Sequence, residues 1–574
     1  MDKVKAWEIR APLLRFDLPF LLMTFLLGLV AFAVLVPLGL ILLNSFQIAK
    51  PGEPVVFGLL GWREAIHNPG ILRAMGYTFS LAITRQVIAL AVGIIVAYLI
   101  ARTDLPAREW LEFMFLLSFF LPPLPVTLGW ILLLDPKFGL INQWLLKLPF
   151  VHDPPFNIYS FWGIIWAHLT ATSIGVKVLL LTPAFRNLSA DLEESSRIAG
   201  VGPAATLLHI VVPVMMPAIL VSTILGVIRS LEAFEIELIL GVPIGIEVYS
   251  TKIYEFVSQE PPHFPAATAL STIFLGILLL LVVLQRLYLG RKIYTTLTGR
   301  GFSRRPLSLG RWRTLAFVLV FTLASVLTIV PSFFLVLGTF MRLFGFFQVA
   351  EPWTLENWRY IFDDPILLRS LWNTLAIGVG SGLAGAILYS LIAYIIAKTR
   401  FRARGVLDFL SWLPWSIPGI LIGMALFWTF LQTPLIRPLY GTIYLLIIAM
   451  LIKGMPLGVQ LTKSVMMQLG SDLEEAARIS GGNWVSTYCL IVLPLIYPAL
   501  VTVGLVTFIS AARDISTVVL LGRGESRTLS LLMLDYTAGG DFEKATVVAV
   551  IIVVLVAVSA LLARAIGGQI SVRG

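Results

Sequence analysis

Long apolar stretches recur so densely along this chain that only a membrane fold remains open to it. Of its 574 residues, 58% are hydrophobic and only 13% charged, and the mean hydropathy is +0.91. Soluble domains carry roughly 25% charged residues, and a run of about 20 apolar residues suffices to cross a bilayer as a helix. Twelve such runs are read at 20–43, 76–100, 110–134, 161–182, 215–240, 268–289, 313–339, 372–397, 407–431, 441–462, 496–521 and 545–566. The expected class is therefore an all-α integral membrane protein with about twelve transmembrane helices. The first run follows Lys3, Lys5, Arg10 and Arg15 and contains Ala31-Phe32-Ala33, which resembles a signal-peptidase site. Apolar sequence continues unbroken from Val34 to Leu43, so the run is read as an uncleaved first span.

A net charge of +10 would suit a nucleic-acid partner, but its distribution argues against one. With the N-terminus in the cytoplasm, the inward segments hold the excess of Lys and Arg, as the positive-inside rule requires. The densest cluster is Arg291, Lys292, Arg300, Arg304, Arg305, Arg311 and Arg313, between the sixth and seventh spans. It reads as a topology signal and an anchor to inner-leaflet lipid; no nucleic-acid partner is expected. Cys489 is the only cysteine and is read as a small buried apolar residue. The five histidines are scattered without helical metal-ligand spacing, so no cofactor is expected in this chain and no metal site is assigned.

The chain repeats itself. Ala97-Tyr-Leu-Ile-Ala-Arg-Thr is matched by Ala393-Tyr-Ile-Ile-Ala-Lys-Thr, and Pro122 by Pro418, both at a spacing of 296. Asp191-Leu-Glu-Glu-Ser-Ser-Arg-Ile-Ala is matched by Asp472-Leu-Glu-Glu-Ala-Ala-Arg-Ile-Ser, and Pro217 by Pro498, at 281. The difference of 15 residues fits an enlarged external loop over Asp135 to Ser160. Two domains follow: 1–300 with a loop at 183–217, and 301–574 with a loop at 464–498. Six spans is an even number, so the two six-helix repeats are parallel, related by a pseudo-twofold along the membrane normal. The same count puts both loops and both termini in the cytoplasm.

Each repeated loop has the chemistry of a short helix. Asp191 and Asp472 are suited to cap its N-terminus, Glu194 and Glu475 complete a capping-box pattern, and Glu193 and Glu474 add acidic charge at the positive helix end. Arg197 and Arg478 sit three residues after the second glutamates, within reach of an i,i+3 pair. Gly200 and Gly481 are natural C′ residues that stop the helix after about two turns. Pro203 can open a second short helix, and Pro213, Pro217, Pro494 and Pro498 are expected to redirect the chain into the next span. So short a helix is marginal alone in water and needs a partner surface.

The segment Glu475-Ala-Ala, three residues, Gly481, nine residues, Ile491-Val-Leu-Pro494 resembles the EAA loop of binding-protein-dependent ABC importer permeases. In the first copy, Ser195 and Ser196 replace the alanines and Val212 the leucine. A single chain with both loops resembles the fused permeases of the ferric-iron and thiamine uptake group. Ser230-Leu-Glu-Ala-Phe-Glu, and Ile253-Tyr-Glu-Phe followed by Pro261-Pro262, look closest to the iron-type members. The resemblance implies a type I permease of the bacterial inner membrane and two copies of a cytoplasmic ATP-binding subunit, one docked on each loop, which carry ATP and Mg. It also implies a periplasmic or extracellular solute-binding protein, with ferric iron as leading cargo and thiamine, polyamine or phosphonate open. The chain has no Gly-x-x-x-x-Gly-Lys-Ser/Thr loop of its own, so it is not expected to be an enzyme.

Charges inside spans usually face a cavity or a partner. Arg229, Glu232, Glu235 and Glu237 lie in or near the outer end of the fifth run, and Arg513 and Asp514 in its counterpart. Glu232 aligns with Arg513 at the 281 spacing, which reads as an inter-half salt bridge or gate; substrate contact and membrane-boundary charge are the alternatives. Tyr98 and Tyr394 are read as structural, of the interfacial-anchor type. A proton-coupled secondary transporter would share the six-plus-six symmetry and could use Glu232, Glu235 or Asp514, but it does not require paired acidic loops. For an intramembrane hydrolase, no serine–histidine pair or two-histidine metal motif stands out.

Overall fold

Asn68 and Asp364 open the two longest helices in the same way. Each side chain accepts a hydrogen bond from a backbone N–H two residues on, Gly70 or Ile366, at 2.8 Å. A proline, preset in φ and lacking an N–H, takes the first helical position. The helices that follow, Pro69–Arg102 and Pro365–Lys398, run for 34 residues each. The structure is a computed structural model that describes residues 18–48, 54–189, 191–289, 306–470 and 472–572.

Two passes through one order of elements account for these residues. The first runs Leu18–Asn44, Leu60–His67, Pro69–Arg102, Arg108–Phe120 with Pro123–Leu134, Phe161–His168 continuing into Ile174–Arg186, Asp191–Ile198, Val212–Leu231, Tyr249–Ser258 and Phe264–Leu289. The second runs Arg313–Leu327 with Ile329–Thr339, Glu356–Asp363, Pro365–Lys398, Arg404–Trp412 with Gly419–Gln432, Ile443–Met466, Asp472–Ile479, Leu493–Arg513, Leu529–Ala538 and Phe542–Val572. Among the described residues, ten helices are long and apolar enough to cross a membrane. The third run of each repeat is not straight: it bends by 101° before Pro123 and by 113° before Gly419. Counting each bent pair as one span gives twelve. Pro122 and Pro418 stand in the breaks, at φ −67° and −55°, where a proline can neither donate to the preceding turn nor fit inside it.

The second limbs of the bent pairs form the centre. Nearly every residue of Pro123–Leu134 and Gly419–Gln432 is buried, as befits helices that are apolar all round. The first helix of each repeat crosses over to the other repeat's limb. Leu18–Asn44 packs on Gly419–Gln432, where Asn44 and Gln432 exchange side-chain hydrogen bonds of 3.1 and 2.6 Å. Ile329–Thr339 packs on Pro123–Leu134, and the backbone of Pro331 comes so close to Gly129 that a Cβ there would clash.

Several expectations need correction. The fifth run ends early: its helix stops at Leu231 with Glu232 as C-cap, Glu235 lies just ahead of a π turn (Glu237–Gly241), and a 3₁₀ turn (Val242–Ile244) follows. A serine from the next helix takes up the freed carbonyl in both repeats, Ser250 Oγ donating to Ala233 O at 2.5 Å and Ser530 Oγ to Asp514 O at 2.6 Å. The loop prolines do not redirect the chain. Pro213, Pro217, Pro494 and Pro498 lie within continuous helical spans, Ala204–Leu231 and Trp484–Arg513. One wide π turn precedes each pair (Leu207–Val211 and Tyr488–Val492), which loosens the ladder where a proline would otherwise clash. Cys489 is exposed rather than buried. Of the basic cluster, Arg291, Lys292, Arg300, Arg304 and Arg305 lie outside the described residues, as do Lys3, Lys5, Arg10 and Arg15.

Candidate functional site

The repeated loops fold as two eight-residue helices, Asp191–Ile198 and Asp472–Ile479. The aspartates are the first helical residues; the capping positions, 190 and 471, lie outside the described residues, and so do the side chains of Arg197 and Arg478. Both helices end alike. Gly200 has φ +77° and Gly481 φ +84°, and the N–H after each reaches back to close a Schellman turn: Val201 N to Ser196 O at 3.0 Å, Gly482 N to Ala477 O at 2.9 Å.

The two glutamates of each pair face opposite ways. Glu193 and Glu474 are buried, while Asp191, Glu194, Asp472 and Glu475 are exposed. Buried Glu193 is ion-paired to Arg102, whose Nε donates at 3.1 Å, and Glu474 to Lys398 at 3.4 Å. The exposed face carries Leu192 and Leu473, and Ile198 and Ile479 are each 88% exposed. The serine–alanine difference between the loops has a structural reading: Ser196 is buried and shares a 2.7 Å hydrogen bond with Thr206. In the second loop, Ala477 has no hydroxyl, and the Thr487 hydroxyl keeps the bond to Asn483 O at 2.9 Å that Thr206 also makes to Gly202 O at 3.1 Å. Tyr98 and Tyr394 are buried beneath these loops rather than held at an interface. Tyr98 meets Phe185 edge-on at 5.9 Å, and Tyr394 meets Trp484 and Tyr488 at 5.4 and 5.1 Å.

The intramembrane charges gather where the repeats meet, but not in the pairing expected. Glu232 does not take Arg513 as its partner. It pairs with Arg229 at 3.2 Å and with Lys453 of the second repeat at 3.5 Å. Lys453 also holds Asp514 at 2.5 Å and donates to Thr517 Oγ1 at 3.2 Å. Arg513 donates instead to the carbonyls of Phe119 and Phe120 at the bend of the first repeat, at 2.8 and 3.3 Å. Glu235 lies half-buried beside this cluster. Among the described residues, no group of three or more His, Cys, Asp or Glu side chains could hold a metal ion.

The first repeat also has a buried polar network. His168 Nε2 and Glu237 Oε1 are 2.7 Å apart, Arg85 lies 3.9 Å from the same carboxylate and donates to Ser230 O, and Lys177 donates to Ser222 O at 2.5 Å. At the repeat spacings the second repeat has Ser381, Ala449, Gly458 and Val518 in place of Arg85, His168, Lys177 and Glu237. Volume is conserved by exchange. Lys177 packs over Gly93 in the first repeat; at the same two positions in the second, Tyr389 packs over Gly458. Sequence reading passed over Arg102, Lys398 and Lys453 as functional candidates. The first two were visible, since Ala-Arg-Thr and Ala-Lys-Thr occupy matched positions in the 296 repeat. Lys453 has no repeat signal to mark it.

Fold and loops together define a membrane permease built from one unit used twice. Residues 89–294 and again 386–572 match the family described as binding-protein-dependent transport system inner membrane component, and the chain belongs to that family. It is 26% identical over 537 residues to the ferric transport system permease protein FbpB of Actinobacillus pleuropneumoniae, across 91% of this chain and 76% of the relative. It is 23% identical over 544 residues to the Fe(3+)-transport system permease protein FbpB 2 of Haemophilus influenzae, across 92% and 95%. A solved bacterial ABC transporter involved in alginate import shares 19% identity at a TM-score of 0.40, covering 48% of this chain and 96% of that one. The protein is thus a multi-pass inner-membrane permease of a binding-protein-dependent ABC import system.

Proposed function

We propose that this chain is the permease of an ATP-driven importer of ferric iron. Each loop helix receives one copy of a separate cytoplasmic ATPase subunit, which carries ATP and Mg, and a periplasmic binding protein delivers the cargo from outside. The docking residues are Asp191, Glu194, Arg197, Asp472, Glu475 and Arg478, with Gly200 and Gly481 shaping the surface and Glu193 and Glu474 holding it in place. The domains are 1–300 and 301–574, with both termini in the cytoplasm. Arg229, Glu232, Glu235, Arg513 and Asp514, joined now by Lys453, form the gate between them.

The observation that carries the docking reading is the pair of Schellman-stopped helices, each with an isoleucine 88% exposed beside exposed acidic residues. An apolar side chain so exposed on a charged helix fits a surface awaiting a partner. The cargo reading rests on the two relatives named for ferric iron, which align with almost the whole chain.

The test is uptake of radioactive iron into proteoliposomes holding this chain, the ATPase and the iron-loaded binding protein. Uptake should stop on ATP depletion and persist with a protonophore. Uptake abolished by the protonophore would instead identify a proton-coupled secondary transporter. Uptake of thiamine, a polyamine or a phosphonate in place of iron would overturn the cargo and leave the machine standing.

A further inference from the structure

Arg102 and Lys398 are the last residues of the 34-residue helices, 296 apart in sequence. Each makes the same two attachments. Arg102 is ion-paired to Glu193, and its Nη1 donates to Leu188 O at 3.1 Å. Lys398 is ion-paired to Glu474, and its Nζ donates to Leu469 O at 2.7 Å. Glu193 and Glu474, like Leu188 and Leu469, are equivalent at the 281 spacing. One cation therefore ties three things in both repeats: the end of the long helix, the chain leaving the preceding span, and the loop helix.

We propose that Arg102 and Lys398 are positioning residues that pass displacement of the loop helices into the membrane. The inference rests on the docking reading above and adds the route by which movement leaves the docking surface. Each loop helix buries few of its own side chains, and the one it buries in both copies is the glutamate of this pair. Beside its contact with the following turn, which in the first loop includes the Ser196–Thr206 hydrogen bond, each loop helix is held by this directional ion pair, and a push on the helix reaches the long helix at that point.

That point lies at the end of a long lever. In the first repeat the lever also carries Arg85, 17 residues or about 25 Å from Arg102 along the helix. Arg85 is bound to Ser230 O and lies beside Glu237, in the segment that holds Glu232 at the inter-repeat cluster. The first lever therefore joins a loop helix to the gate through charged contacts at its end and at its middle. The second has only Ser381 at the position of Arg85, so the two drive points act on the gate unequally.

The test uses the full transporter in proteoliposomes and measures three quantities: affinity of the ATPase for the permease, hydrolysis stimulated by loaded binding protein, and cargo moved per ATP. Arg102→Gln should leave ATPase affinity within about twofold, since the exposed face is untouched, and lower cargo per ATP by at least about fivefold, the scale of a coupling free energy. Arg102→Lys should keep most of the coupling, because the second repeat already uses lysine. Lys398→Gln should lower cargo per ATP less than Arg102→Gln does. If Arg102→Gln fails to accumulate, the exchanged pair Arg102→Glu with Glu193→Arg takes its place; a carboxylate at 102 cannot donate to Leu188 O, so the pair should restore the ratio in part, to above that of either single change.

A folded exchanged pair with no coupling, or an Arg102→Gln variant with an unchanged ratio, overturns the proposal. So does loss of ATPase affinity in step with loss of transport, which would make the pair a support for the docking face alone. Failure of the docking reading looks different: Glu475→Lys in otherwise wild-type protein would leave ATPase affinity and transport intact.

Discussion

Replacing Gly481 probes the loop helix through its backbone alone. At φ +84° the residue lies in the left-handed region, and a Cβ added there meets nothing within 4 Å in this chain. Space is therefore not at issue. An L-residue in this conformation costs roughly 1–2 kcal/mol relative to glycine, a factor of about 5–30 in the equilibrium constant for closing the Schellman end. If docking requires that end, the apparent affinity for the ATPase falls by up to that factor, the whole of it where the end is mostly open before docking. Alanine should thus weaken coupled uptake by up to about 5–30-fold, and valine, branched at Cβ, by more. Asparagine, which tolerates the left-handed region, should fall closest to glycine. The assay is ATP-dependent uptake in proteoliposomes alongside thermal unfolding of the purified chain, which should move little because the strained loop end can open locally without unfolding the spans. Normal uptake with valine would refute the reasoning. So would asparagine proving worse than alanine, since that order reports side-chain size against the partner rather than backbone conformation.

Three other changes test other parts of the structure. Lys453→Met strips Asp514 and Glu232 of their shared partner, and breaking a buried pair costs about 3–5 kcal/mol; the melting temperature in detergent should drop clearly, and adding Asp514→Asn should recover most of it. Gly458→Ala would push a methyl into the Tyr389 ring and should destabilise by about 1–3 kcal/mol through overpacking, read by the same thermal assay. Ser196→Ala removes the hydrogen bond to Thr206 but leaves the Thr206 hydroxyl donating to Gly202 O at 3.1 Å, so it should cost no more than about 1 kcal/mol, the net worth of one hydrogen bond; protease sensitivity of the first loop measures it.

Much of what is governed locally or by repetition was legible in the sequence, though not the π turns that carry the loop prolines through continuous helices. Run length gave the spans, the acidic-to-glycine segments gave two short helices, and the constant spacings gave a unit used twice. These are properties of a few consecutive residues: apolar length, a first turn rich in carboxylates, a glycine able to take positive φ. Two proline positions marked the bends without showing their angle, because a broken span and a straight one have the same hydropathy.

Which equivalent positions touch was settled by contacts between distant segments. Repeat spacing aligned Glu232 with Arg513, yet pseudo-symmetry relates positions in two copies and says nothing of their distance. Lys453, from a different span, reaches the carboxylates first. The same limit hid the crossing of the first helices and the exchange of Lys177 over Gly93 for Tyr389 over Gly458. It also hid the clasp that Arg102 and Lys398 make on the loop helices. Each of these depends on close approach between segments tens to hundreds of residues apart, where packing and charge select a partner that no local pattern encodes.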